Sequence, residues 1–143
     1  MLSTPHLLVG ATVGSFTRNP LAAFAAGFVS HFIMDRVPHW DWKPTGWKMI
    51  ALTFAEFFFG AGLLFFLTKN SSNPFLIWAG AVGGVCPDAL AAPYYLLHQE
   101  IKVLEPLRRF HNLTQTGNNK FPKIAGILTQ ILVLIITTLF LSR

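Results

Sequence analysis

Three apolar runs, at about residues 48–68, 74–97 and 122–142, decide most of what this chain can become. Each is about as long as the roughly 20 residues an α-helix needs to cross ~30 Å of hydrocarbon. In that medium every backbone N–H and C=O has to be paired inside the segment, so a run of this length can only be a helix. Two shorter apolar runs, about 5–17 and 20–37, come before them and are joined by Arg18-Asn19-Pro20. Pro20 suits the first position of a helix. The five segments predict an all-α integral membrane bundle in one domain, residues 1–143, with the first two forming a short hairpin that is spanning or re-entrant. Composition agrees. Charged residues are 12% of the chain, against roughly 25% in soluble domains, and mean hydropathy is +0.50. The opening Met1-Leu2-Ser3-Thr4-Pro5-His6 lacks the basic start of a cleaved signal peptide, so it is expected to belong to the mature protein. The single Cys86 excludes an internal disulfide.

The fourth run contains Gly83-Gly84-Val85-Cys86-Pro87-Asp88. Paired Gly followed by Pro predicts a break near Pro87, with Asp88 capping a new helical piece that runs to His98. Broken helices at membrane depth occur where they line a protein-enclosed or watery cavity. Residues 99–121 are the longest polar stretch. The first half is expected to be an interfacial helix and Thr114–Lys120 a loop.

The chemistry gathers in Ser30-His31-Phe32-Ile33-Met34-Asp35-Arg36-Val37-Pro38-His39-Trp40-Asp41-Trp42. His31 and Asp35 are four apart, so on a helix they share one face, one turn from each other. An imidazole nitrogen and a carboxylate oxygen so placed can bind one metal ion from rigid backbone. Pro38 predicts that the helix ends near Val37. If the segments alternate across the membrane, all five His and all six acids lie in or toward the same half. Ionisable groups inside a membrane are costly and are functional candidates by default.

His6, His31, Asp35, Asp88 and His39 are the candidate metal ligands, against the alternative of hydrogen bonds that tie helices together. Glu56, Asp41 and His111 are candidates for moving a proton, and Glu56 could equally be a ligand or a ligand's partner. His39 and Asp41 could also be solvated groups beside an aromatic belt of Trp40 and Trp42. Arg108 and Arg109 either anchor the chain at the membrane face or hold a lipid phosphate through the bidentate guanidinium. Several His and carboxylates without Cys fit a divalent ion, zinc or manganese, in a catalytic rather than a structural site.

The half that holds this chemistry also carries Arg36, Lys43, Lys48, Lys102, Arg108, Arg109, Lys120 and Lys123, eight of the 11 basic residues. The positive-inside rule makes it cytoplasmic, which suits a multi-pass protein of the inner membrane. A net charge of +5 suits anionic lipid head groups better than nucleic acid.

Together the early His6, the His31-Phe32-Ile33-Met34-Asp35 motif, Pro87-Asp88 and Arg108-Arg109-Phe110-His111 resemble the small membrane-bound metal-dependent hydrolases of bacteria. The resemblance implies metal binding at His6, His31, Asp35 and Asp88 and a site role for His111. The motif order differs, because here Pro-Asp follows the His-x-x-x-Asp helix. Only His111 stands in the loop that in the family tends to hold two His, with Thr114 and Gln115 where the second would be. The function expected is hydrolysis of an ester in a lipid or membrane-associated substrate, a phosphoester favoured. A metal or proton transporter and a non-enzymatic membrane scaffold are the alternatives.

Overall fold

Six α-helices and one 3₁₀ turn make up the computed structural model, which describes residues 1–40, 46–97, 101–115 and 121–143. They are α1 (Ser3–Ser15), α2 (Pro20–Met34), α3 (Trp47–Thr68), α4 (Pro74–Leu97), the turn Lys102–Leu104, α5 (Glu105–Thr114) and α6 (Lys123–Leu141). No strand occurs among the described residues. Asn19 caps α2 by accepting a hydrogen bond from the Ala22 amide at 2.9 Å, and Pro20 opens that helix as its sequence predicts.

Helices α3 (Trp47–Thr68), α4 (over Pro74–Tyr94) and α6 (Lys123–Leu141) are long and apolar enough to cross a membrane. At 1.5 Å per residue, α1 and α2 reach only ~20 and ~22 Å. Burial is inverted relative to a protein that folds in water. Thr4, His6, His31, Asp35, His111, Gln130 and Thr137 are inside, while Phe58, Phe59, Phe65 and Phe66 of α3 and Ile124, Leu128, Leu132 and Ile136 of α6 are exposed. So wide an apolar surface is stable only against lipid or another apolar partner.

Helices α1, α2 and α4 form the packed centre, because glycines let their backbones meet. A Cβ on Gly80 would overlap the Gly10 carbonyl oxygen, and one on Gly27 would overlap that of Gly80. Gly83 sits against Phe24, and Gly84 against the carbonyl of His6. Against these contacts α4 runs unbroken through Pro87 and Pro93, which corrects the expected break near Pro87. Gly83-Gly84 is a packing device, not a breaker, and Asp88 lies mid-helix with no cap role. Pro87 removes only its own N–H, and neighbouring helices hold the rest of α4 in place.

Contacts fix the helix directions. Leu2 meets Gln130 while Phe16 meets Phe140, so α1 and α6 run the same way. Glu56 meets Ser3 and Thr4, and one turn on Gly60 meets Thr4 and Leu7, so α3 joins them. Helix α4 runs opposite to α1, from Leu76 beside Gly14 to Gly84 beside His6. His31, in the last turn of α2, bonds to Gly84, so α2 runs with α4. The start of α1, the end of α2 and the second half of α4 therefore meet at one end of the bundle.

Candidate metal centre

Asp35 is the C-cap of α2, where the partial negative charge of the helix end disfavours a carboxylate. Three imidazoles compensate. His6 Nε2 lies 3.2 Å from Asp35 Oδ1, while His31 Nε2 and His111 Nε2 lie 3.2 and 3.1 Å from Oδ2. Asp88 Oδ1 completes the group, 3.4 Å from His111 Nε2 and 3.7 Å from His31 Nε2. The side chains of His6, His31 and Asp35 are fully buried; that of Asp88 is 35% exposed. The centre therefore opens at Asp88.

Elements from the whole chain deliver these atoms. His6 comes from the first turns of α1 and is stacked on His31, with ring centroids 4.1 Å apart. His31 and Asp35 are the i, i+4 pair of α2, and His111 is in the last turn of α5. His31 Nδ1–H donates to the Gly84 carbonyl oxygen at 2.7 Å, which leaves the neutral ring a bare lone pair on Nε2. That lone pair faces a carboxylate oxygen and, at 3.1 Å, His111 Nε2. Acceptors so arranged repel unless a cation or a proton lies among them. Neither ring nitrogen of buried His6, nor Nδ1 of His111, has a hydrogen-bond partner among the described residues.

The donor set fits a divalent ion. Zinc, with bonds of ~2.0–2.1 Å to nitrogen, spaces tetrahedral ligand atoms roughly 3.3 Å apart, and the six donor pairs given above are 3.1 to 3.7 Å apart. Two carboxylates balance a 2+ charge. His6, His31 and Asp88 form one possible triad, and His31, Asp35 and His111 another. The two triads share His31.

The remaining predicted site residues lie elsewhere. Glu56 accepts hydrogen bonds from the Ser3 and Thr4 amides at 2.9 and 2.6 Å, so its carboxylate neutralises the N-terminal end of α1. Glu56→Ala is expected to lower stability by about 0.5–2 kcal/mol, the usual range for a lost helix cap, with metal content unchanged. Thermal unfolding alongside elemental analysis checks both. His39 is buried and donates from Nδ1 to the Val37 carbonyl oxygen at 2.8 Å, and its backbone rests on Gly126 of α6. It belongs to neither triad. Asp41 lies outside the described residues.

Arg108 and Arg109 converge on Glu105 rather than on the centre. Arg108 makes a bidentate pair, 2.7 Å from each oxygen, and Arg109 Nε adds a third bond at 2.8 Å. These hydrogen bonds, Arg108 first, hold the Glu105 carboxyl down to about 2. A carboxylate depressed in the folded state supports it above the ordinary value near 4.5 and loses that support as pH falls toward 2, so the cluster stays intact at any physiological pH.

Two participants were not singled out by residue type. Gly84 offers only a carbonyl, and no sequence signal marks it as an acceptor for His31. Gln115 lies four after His111 and brings its side-chain amide within 3.0 Å of His111 Nε2. That spacing was available to be read, but an amide has no charge to draw attention to it. No protein-family model, curated protein or solved structure matches the chain.

Proposed function

We propose that this chain is an integral membrane hydrolase that holds one divalent ion, zinc or manganese, through His6, His31, Asp35, Asp88 and His111. Its substrate on this reading is an ester in a lipid or membrane-associated molecule, with a phosphoester favoured. The observation that carries it is the convergence of three imidazole nitrogens and two carboxylates in a buried pocket open at Asp88. A structural site would be closed, whereas a catalytic one keeps a side for substrate.

A divalent ion in this pocket supplies Lewis acidity and an acidified water to an ester oxygen at the membrane face. The chain's own residues set the geometry. Gly84 fixes the His31 ring, Asp35 gathers the three imidazoles, and Gln115 stands beside His111 with an amide that can orient an incoming oxygen. The site lies where helices start and end, in reach of ester linkages at the head-group boundary. Transporters usually hold their ion near the midplane between repeats. The resemblance to the small bacterial membrane-bound metal-dependent hydrolases supports the same reading, with α1 and α2 embedded beside the three long helices.

Detergent-purified protein should carry about one zinc or manganese ion per chain by elemental analysis, and its chelation should lower the unfolding temperature. Protein without metal would leave a scaffold. Metal-loaded protein that is inert toward phospholipids, lipid phosphates and acyl esters, yet moves the ion across sealed vesicles, would be a transporter.

The basic residues place the centre on the cytoplasmic side of the inner membrane on this reading. In a Cys86→Ser background, an impermeant thiol reagent applied to intact cells should label the Ser72→Cys protein. The Asn112→Cys protein should react only after the membrane is opened. The reverse pattern would put the centre on the outer face.

A further inference from the structure

Three rows of side chains, each spaced i, i+4, i+7, divide the surface of α5. Leu107, His111 and Thr114 form the row on the bundle, where His111 and Thr114 are buried. Glu105, Arg109 and Asn112 form a polar row. Pro106, Phe110 and Leu113 form the third, which is apolar and exposed. A helix that rests on protein and otherwise faces water needs only the first two. Phe110 meets Phe32 of α2, ring centroids 4.9 Å apart, and on the same two turns of α2 Val29 and Ile33 are exposed. The third row therefore joins the apolar surface that α2 turns outward. Charge is also sorted at this end of the bundle. Arg36, Lys48, Lys102, Arg109 and Lys123 are exposed, while every carboxylate among the described residues is buried or half-buried.

We propose that α5 lies in the head-group layer of the bilayer, its apolar row among the first carbons of the lipid chains, and that anionic lipid thereby holds His111 at the centre. An amphipathic helix with basic residues beside its apolar side binds such a layer through both apolar area and charge. Lys102 and Arg109 can lay their stems along the apolar row and put their charges at the phosphates. Arg36, Lys48 and Lys123, at the ends of the neighbouring helices, meet the same phosphates. Trp47, exposed at the start of α3, marks the level of that layer. With only one of its rows on the bundle, α5 takes much of its hold from the lipid. Its place in the membrane stands apart from the metal reading; its grip on the centre rests on that reading.

The test reconstitutes the full chain, in the Cys86→Ser background and with EDTA, into vesicles of phosphatidylcholine and phosphatidylglycerol. A nitroxide near the head-group end of a lipid chain should quench a fluorophore on Leu113→Cys at least about threefold more than one on Asn112→Cys. Vesicles of phosphatidylcholine alone should shrink that difference. Pro106→Asp, which puts a charge into the row and still suits the first turn of a helix, should remove it. With EDTA left out, the same variant should hold zinc about tenfold more weakly in the mixed vesicles, the low end for a lost supporting contact. Equal quenching of the two labels would overturn the proposal. So would self-quenching between copies labelled at Leu113, which would put a second chain on the row. Zinc affinity unchanged by Pro106→Asp would overturn the tie to His111. Protein that binds no zinc at all would overturn the metal reading and that tie with it, while the quenching still decides where α5 lies.

Discussion

Asp35→Asn is expected to leave the protein with less than about a tenth of an ion per chain and no measurable turnover. Asparagine keeps the volume of the side chain but has one neutral acceptor where Asp35 turns two charged oxygens toward His6, His31 and His111. Losing a group that merely supports a ligand typically weakens metal binding 10–100-fold, and Asp35 meets three candidate ligands directly. Three imidazoles would then face one another with the Asp88 carboxylate alone to balance an ion. His39→Ala is the matched control. That imidazole is also buried on the segment after α2, but its Nδ1 is spent on Val37. Metal content should stay near one ion per chain. Equal metal in the wild-type, His31→Ala and Asp35→Asn proteins would reduce the cluster to hydrogen bonds between helices.

Gly84→Ala should damage both the fold and the centre. The added Cβ would overlap the His6 carbonyl oxygen and come within 3.3 Å of Gly10 Cα. Both neighbours are backbone, so α1 has to move away from α4. Overpacking of this kind costs about 1–3 kcal/mol. Here it acts at the level of His6, and the displaced residue supplies the carbonyl that orients His31. Metal affinity should fall about 10–100-fold, the scale for a lost supporting contact. Gly62, which has open space around its Cβ position, is the comparison. Gly62→Ala should leave both unfolding temperature and metal affinity as they are. A Gly84→Ala protein of normal stability and metal affinity would mean that α1 and α4 do not meet as closely as described.

Much of the architecture was legible because hydrocarbon permits so little else. The limits of α2, α3, α4 and α6 fall within a few residues of the apolar runs, and Asn19-Pro20 marks the start of α2. The His31/Asp35 pair was legible from its spacing, and His6 and Asp88 from the rarity of such groups in apolar segments. The state of Pro87 was not, because a Pro after paired Gly reads as a breaker until one knows what lies against the glycines. Glu56 illustrates the opposite limit. A carboxylate in an apolar helix looks like chemistry, and only the fold shows two amides of α1 waiting for it. His39 shows a similar limit, since sequence proximity to Asp35 does not say that its Nδ1 turns to the Val37 carbonyl oxygen.

Gln130, near the middle of α6, has a consequence for when the centre can exist. Its side chain accepts from the Leu2 amide at 3.4 Å and donates to the Trp40 carbonyl oxygen at 2.8 Å. It thus fastens the start of the His6 helix and the segment that follows Asp35. Every proposed metal ligand leaves the ribosome before α6 does. The two pieces of chain held by Gln130 stay unfastened until α6 has been made and laid beside α1. A half-made chain would carry the donors without their geometry, so an ion met early in synthesis could be held only weakly and released again. If the centre holds a metal as proposed, loading would have to wait until the last helix is laid in place.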